Sequence, residues 1–153
     1  GRLGPSLEFS QRARIILEVC DALQRAHDLG LQHRDLKPSN IMLDARLAPR
    51  ILDFGLSGSD PAGGHLKGTL PYIAPEQLDP ARPIDARTDV YALGVIFYEL
   101  LTGRTPYGGT DDSLVAEIRQ GQPRLPVEID PGVPEPLQAI APVSSATVGW
   151  YMR

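Results

Sequence analysis

The side chains able to do chemistry gather in one octet, His33-Arg34-Asp35-Leu36-Lys37-Pro38-Ser39-Asn40, and in Asp53-Phe54-Gly55, whose Asp lies thirteen positions past Asn40. Asp35 offers a carboxylate that can accept a hydroxyl proton and aim the hydroxyl oxygen. Lys37, two residues on, offers a cation able to reach a transferring phosphate as charge moves toward the bridging oxygen. Asn40 supplies an amide oxygen and Asp53 a carboxylate, the hard oxygen ligands that Mg²⁺ prefers. Gly55 lets the backbone behind Asp53 turn freely. Such a set suits phosphoryl transfer, which asks for positioning and charge neutralisation more than for covalent chemistry.

Taken singly, each piece has a plainer reading. A His-Arg-Asp triplet is usually a surface ion-pair cluster, and Asp-Phe-Gly is often a strand end entering a turn. Asn40 alone could cap the turn before a strand. Ala74-Pro75-Glu76 alone reads as a helix start with Pro at the first helical position. The three signatures in this order and at this spacing are too regular for chance.

The elements that must position these groups follow from periodicity. Ala13, Ile16, Leu17, Cys20, Leu23 and Ala26–His27 recur at helical spacing, with Ser10 as the expected cap and Gly30 as the terminator. Ile41-Met42-Leu43 and Ile51-Leu52 flank a polar turn at Asp44–Pro49 and predict a two-stranded hairpin. Asn40 then sits just before one strand and Asp53 just after the other, at the same edge. Residues 57–68 read as a loop. Asp89 to Gly103 predicts a helix apolar nearly all round, hence buried on every side. Asp111 to Gly121 predicts a short amphipathic helix, Pro123 to Pro136 a loop, and Leu137 to Ala141 the start of a further helical run.

Composition narrows the classes. The 153 residues fit one domain or part of a larger one, and 42% hydrophobic content is ordinary for a globular core. A net charge of −4 with no basic run argues against nucleic acid as a partner. The single cysteine, Cys20, rules out an internal disulfide and a multi-Cys metal site, and is expected to be a small buried hydrophobe. The longest apolar run, Val90 to Leu101, is interrupted by Glu99 and is too short for a membrane segment. With no signal peptide, the expectation is cytoplasmic. A first residue Gly1 reads as a fragment or a processed start.

The sequence resembles the serine/threonine branch of the protein kinase superfamily, bacterial type, from about Leu7 to Ile140. Lys37 and Pro38 match that branch's catalytic loop, where tyrosine kinases usually place Ala-Ala-Arg. Small-molecule phosphotransferases of similar fold generally lack both the Arg34 and Lys37 pair and the Ala-Pro-Glu segment. The resemblance implies a mainly α C-terminal lobe with a small β-hairpin at the catalytic cleft, part of a two-lobed α+β fold whose N-lobe this chain lacks. It implies that Asp35 orients the acceptor hydroxyl and that Lys37 stabilises the transferring phosphate. Thr69, in the segment Gly68 to Leu78, would bridge Asp35 and Lys37 beside the protein substrate. Asn40 and Asp53 would hold Mg²⁺, and Met42 would pack under the adenine of ATP. Asp89 would hold the catalytic-loop backbone, and His33 and Phe54 would form part of the regulatory spine.

Three departures shape the expectation. No Gly-rich loop or lysine precedes Lys37, so this chain alone is expected to bind Mg-ATP poorly and to transfer phosphate very slowly or not at all. Arg34 in the family pairs with an activation-loop phosphate; here Ser57 and Ser59 are the hydroxyls on offer before Thr69, and Asp60 is the alternative partner. The arginine that pairs with the Ala-Pro-Glu glutamate in the family has no recognisable counterpart, so Glu76 is expected to find solvent or another cation. Residues 1–141 are thus expected to be the kinase lobe and 142–153 a divergent tail, from a frameshift, a truncated gene or an unusual terminus. The function implied is transfer of the ATP γ-phosphate to Ser/Thr hydroxyls of proteins. The alternative is a non-catalytic lobe remnant that binds proteins.

Overall fold

Two helices organise the structure: α1 (Phe9–Asp28), apolar along one stripe, and α2 (Arg87–Thr102), apolar on almost every face. The computed structural model describes residues 7–54 and 69–138. Between the two helices come a 3₁₀ turn at Pro38–Asn40, the antiparallel strands β1 (Ile41–Leu43) and β2 (Pro49–Ile51), and 3₁₀ turns at Leu70–Tyr72 and Pro75–Leu78. Beyond α2 lie α3 (Asp111–Gln120) and two single-turn helices, α4 (Pro126–Ile129) and α5 (Glu135–Gln138). The architecture is mainly α with one small hairpin, as the sequence anticipates.

The stripe on α1 is Ile15, Ile16, Val19 and Leu23, at the three- and four-residue steps that share one helix face. It packs with Leu93, Ile96, Phe97 and Leu100 of α2 and with Ile41 and Leu43 of β1 in one core cluster. Another face of α2 buries Tyr91, Val95 and Tyr98 against Ala74. A helix lodged between two clusters needs apolar residues all round, which explains its composition. Gly103 ends it at φ 76°, where a side chain would be strained, and its N–H closes on the Glu99 carbonyl. Gly30, at φ 75°, follows α1 as expected.

Several local expectations are corrected. Glu8, not Ser10, stands at the N-cap of α1, and its N–H is met by Gln11 Oε1 at 2.9 Å, half of a capping box. Cys20 is exposed, because at 100° per residue it lies about 40° beyond Ile16, the edge of the buried stripe. Pro49 belongs to β2 rather than to the turn; it opens a two-stranded edge, where its missing N–H costs no ladder bond. Asp44 closes that turn by accepting the N–H groups of Arg46 at 2.7 Å and Ala48 at 3.0 Å. These two bonds hold its carboxyl below the usual range. The stretch read as loop contains α4, which starts on Pro126, and α5 begins at Glu135. Ala139–Ala141, residues 142–153 and the loop at 57–68 lie outside the described residues.

Arg12 binds the two central helices together. Its Nη1 donates to the Leu100 carbonyl at 2.8 Å, its Nε to the Leu7 carbonyl at 2.7 Å, and its guanidinium lies 4.7 Å from the Phe9 ring centroid. A cation on the last carbonyls of α2 also complements the helix dipole. Arg12→Met keeps most of the buried stem and removes the donors. The expected result in urea denaturation is a loss of about 1–3 kcal/mol, the cost of stranding buried acceptors.

Candidate active site

Asp89, in the first turn of α2, is wholly buried and accepts three hydrogen bonds. Its Oδ1 takes the Arg34 N–H at 2.7 Å, and its Oδ2 takes the His33 N–H at 2.8 Å and lies 2.8 Å from His27 Nε2. The donors come from the end of α1 and from the loop that follows it, so one carboxylate ties that loop to both helices. The loop needs such a tie. Arg34 sits at φ 65°, a left-handed conformation that costs a non-glycine residue of order 1–2 kcal/mol. Gln77 Nε2 adds a bond to the Arg34 carbonyl at 3.2 Å from the far side.

The backbone so held presents Asp35. Its Oδ2 lies 2.7 Å from Lys37 Nζ, and its Oδ1 accepts the Thr69 N–H at 3.2 Å. Lys37 Nζ also donates to Thr69 Oγ1 at 3.1 Å. Carboxylate, ammonium and hydroxyl therefore form one closed set across more than thirty residues of sequence. The Asp35 carbonyl is fixed by Asn40 Nδ2 at 3.0 Å. The Asn40 amide oxygen is left with a long contact of 3.5 Å from Ser39 Oγ.

The hairpin brings Asn40 and Asp53 to one end. Ile41 pairs with Ile51, and the Leu52 N–H donates to the Asn40 carbonyl at 2.8 Å, extending the pairing by a step. Asp53 follows at once, exposed and at φ 60°. Among the described residues its carboxylate takes no hydrogen bond. Two oxygen donors at one edge, one of them a carboxylate, fit a small hard cation that keeps waters and binds phosphate as well. Among the described residues no group of three or more His, Cys, Asp or Glu side chains is placed to hold a metal ion. Met42, on β1 opposite Arg50, is 47% exposed while Ile41 and Leu43 beside it are buried.

His33 is buried under this edge. Its Nε2 lies 2.8 Å from the Leu52 carbonyl and its Nδ1 3.4 Å from the Asp35 N–H, and the two contacts together require the proton on Nε2. Its ring meets Phe54 edge-on, with centroids 5.1 Å apart. Arg34 Nε donates to Gln32 Oε1 at 3.1 Å. Ser57, Ser59, Asp60 and Gly55 lie outside the described residues. Glu76, half-buried, accepts the hydroxyl of buried Thr88 at 3.0 Å and lies within electrostatic reach of the Arg87 guanidinium.

Periodicity and motif spacing did not point to His27, Gln77 or Tyr72 as parts of the site. Tyr72 donates its hydroxyl to Glu99 Oε2 at 2.7 Å, and burial together with that carboxylate pushes its pKa up, so it stays a donor. No local pattern marks any of these three, since each partner is far away in sequence.

The whole arrangement falls within a match to the protein kinase domain family over residues 4–141. The chain belongs to the protein kinase family. A probable serine/threonine-protein kinase of Corynebacterium efficiens is 41% identical over 127 residues, which are 78% of this chain and 19% of that protein. Serine/threonine-protein kinase Pkn1 of Myxococcus xanthus is 44% identical over 134 residues, 81% of this chain and 19% of its own length. Serine/threonine-protein kinase PknB of Mycobacterium leprae is 37% identical over 138 residues, 85% of this chain and 22% of that protein. The chain thus spans about a fifth of the curated relatives it matches. No described helix is long and apolar enough to cross a membrane.

Proposed function

We propose that this chain is the catalytic-loop lobe of a serine/threonine protein kinase that transfers the γ-phosphate of ATP to hydroxyls of protein substrates. The observation that carries the reading is the Asp35, Lys37 and Thr69 set, closed by contacts of 2.7, 3.1 and 3.2 Å. Asp35 orients the acceptor hydroxyl and takes up its proton. Lys37, already beside Asp35, offsets negative charge on the phosphoryl group as it moves. Thr69 holds both in register and seats the substrate chain next to them. Asn40 and Asp53 hold Mg²⁺, which when bound neutralises phosphate oxygens. Met42 offers its exposed side chain to the adenine ring. Because ATP is the donor, the site of action is the cytoplasm.

The test is transfer of label from γ-labelled ATP with Mg²⁺ to a panel of proteins and, separately, to aminoglycosides and choline. Label on Ser or Thr of a protein, lost in Asp53→Ala, is the expected result for the chain joined to a nucleotide-binding lobe. Label on the small molecules alone, or transfer unaffected by Asp53→Ala, would overturn the reading.

A further inference from the structure

Gln77, in the 3₁₀ turn Pro75–Leu78, spends both ends of its amide on backbone groups of different segments. Its Oε1 accepts the N–H of wholly buried Ala74 at 2.9 Å, and its Nε2 donates to the Arg34 carbonyl at 3.2 Å. An N–H can only donate and a carbonyl can only accept, so the two partners fix which end of the amide is oxygen. Ala74 belongs to the segment that begins at Thr69. Arg34 belongs to the catalytic loop, 43 positions before Gln77.

Side-chain packing between these two segments is incomplete. A cavity of about 10 Å³, no larger than one water needs, is lined by Asp35 and Leu36 of the loop and by Tyr72, Ile73 and Gln77 of the segment. Hydrogen bonds across that gap therefore carry much of the register. Those at Thr69 depend on Asp35 and Lys37, the side chains that turn to the acceptor hydroxyl and the phosphate during transfer. The Gln77 bridge uses neither. It also holds the carbonyl of Arg34, the residue at φ 65° from which Asp35 follows.

We infer that Gln77 is a positioning residue for phosphoryl transfer: its amide clamps the segment that seats the substrate to the strained backbone that presents Asp35. The role of that segment rests on the function proposed above. Both ends of the amide are needed. Glutamate has the same length and keeps an oxygen for the Ala74 N–H, but sets its second oxygen against the Arg34 carbonyl. A side chain that merely capped its own turn would need only Oε1. Gln77→Glu therefore separates bridging from capping.

The first measurement is amide hydrogen exchange in the full 153-residue chain. In Gln77→Glu the Ala74 N–H should stay protected. Exchange at Arg34 and Thr69 should rise about tenfold, as one lost hydrogen bond allows, while exchange at Ile96 in the core of α2 should not change. The second measurement is steady-state transfer to a protein by the chain joined to a nucleotide-binding lobe. Gln77→Glu should lower kcat about ten- to a hundredfold, the range for a misplaced reacting group, and leave the KM for ATP unchanged. The introduced carboxyl can donate to the Arg34 carbonyl only when protonated, and that bond favours the protonated form. The ratio of wild-type to variant kcat should therefore shrink as pH falls from about 8 to about 5. Arg34, Asp35 and Asp89 line the same cavity, and taking the ratio at each pH removes their shared titration. Wild-type exchange at Arg34 and Thr69 in Gln77→Glu, equal acceleration at Ile96, an unchanged kcat, or a ratio that does not vary with pH would overturn the proposal. If exchange behaves as expected and the wild type transfers no phosphate to proteins, the kinase reading fails alone. If the wild type transfers and Gln77→Glu matches it, the positioning role fails alone.

Discussion

Asp35→Asn is expected to lower kcat for phosphoryl transfer by about 10²–10⁴-fold, the usual worth of a positioned general base. The substitution keeps the shape of the side chain and one of its oxygens, so the Thr69 N–H, now 3.2 Å from Oδ1, retains an acceptor. What is lost is the basic oxygen. An amide cannot take the acceptor hydroxyl's proton, and its NH₂ group would face Lys37 Nζ, which now stands 2.7 Å from Oδ2. Stability should hardly move. The two side chains are 28% and 27% exposed, and ion pairs open to solvent contribute about 0–1 kcal/mol. The KM for ATP should also stay near its wild-type value, because Asp35 lies toward the acceptor and not among the residues assigned to the nucleotide. Steady-state kinetics and a melting curve on the same preparation check all three expectations, for the chain joined to a nucleotide-binding lobe. A kcat within tenfold of wild type at unchanged stability would remove Asp35 from the role given to it.

Much of this was legible in the sequence where the information is local. The helix α1 follows from spacing, but spacing misplaces its buried face: Leu17 and Cys20 are exposed, and Ile15 and Val19 are buried with Ile16 and Leu23 instead. The all-round apolar face of α2 follows from spacing, and the hairpin follows from two short apolar runs about a polar turn. That Asn40 and Asp53 share an edge could be read from strand length alone. Three kinds of feature could not. Cys20 looked apolar and helical, but at 100° per residue it falls about 40° beyond Ile16, the outermost residue on that side of the stripe. The single turn α4 is too short to show a period and begins on a proline, a residue that equally marks a loop. Contacts such as Arg12 to the Leu100 carbonyl join residues 88 apart in sequence, and no window along the chain contains both. The site divides in the same way: motif spacing named Asp35, Lys37, Asn40 and Asp53, whereas His27, Gln77 and the Tyr72–Glu99 bond emerge only when the helices pack.

Asp89→Ala is expected to be the most damaging single change to the fold around the site. The carboxylate is fully buried and neutralises no exposed charge; its work is to accept the N–H groups of His33 and Arg34 and the contact with His27. Alanine strands these donors in a region that water does not reach, and each buried donor left without an acceptor costs about 1–3 kcal/mol. The loss is concentrated where the backbone is strained. Arg34, at φ 65°, would be free to relax toward an extended conformation, and Asp35 would turn away from Lys37 and Thr69 with it. Transfer should therefore fail even in the fraction of molecules that remain folded. Asp89→Asn separates the two effects. It retains one oxygen for one backbone N–H and places an NH₂ group against the other, so its loss of stability should be smaller than that of alanine while the loop is still misplaced. Urea denaturation measures the first quantity, and amide hydrogen exchange at Arg34 measures the second. Faster exchange at Arg34 than at Ile96 in the core of α2 would show local release of the loop. Equal acceleration at both positions would mean that Asp89 supports the fold as a whole and has no special hold on the catalytic loop.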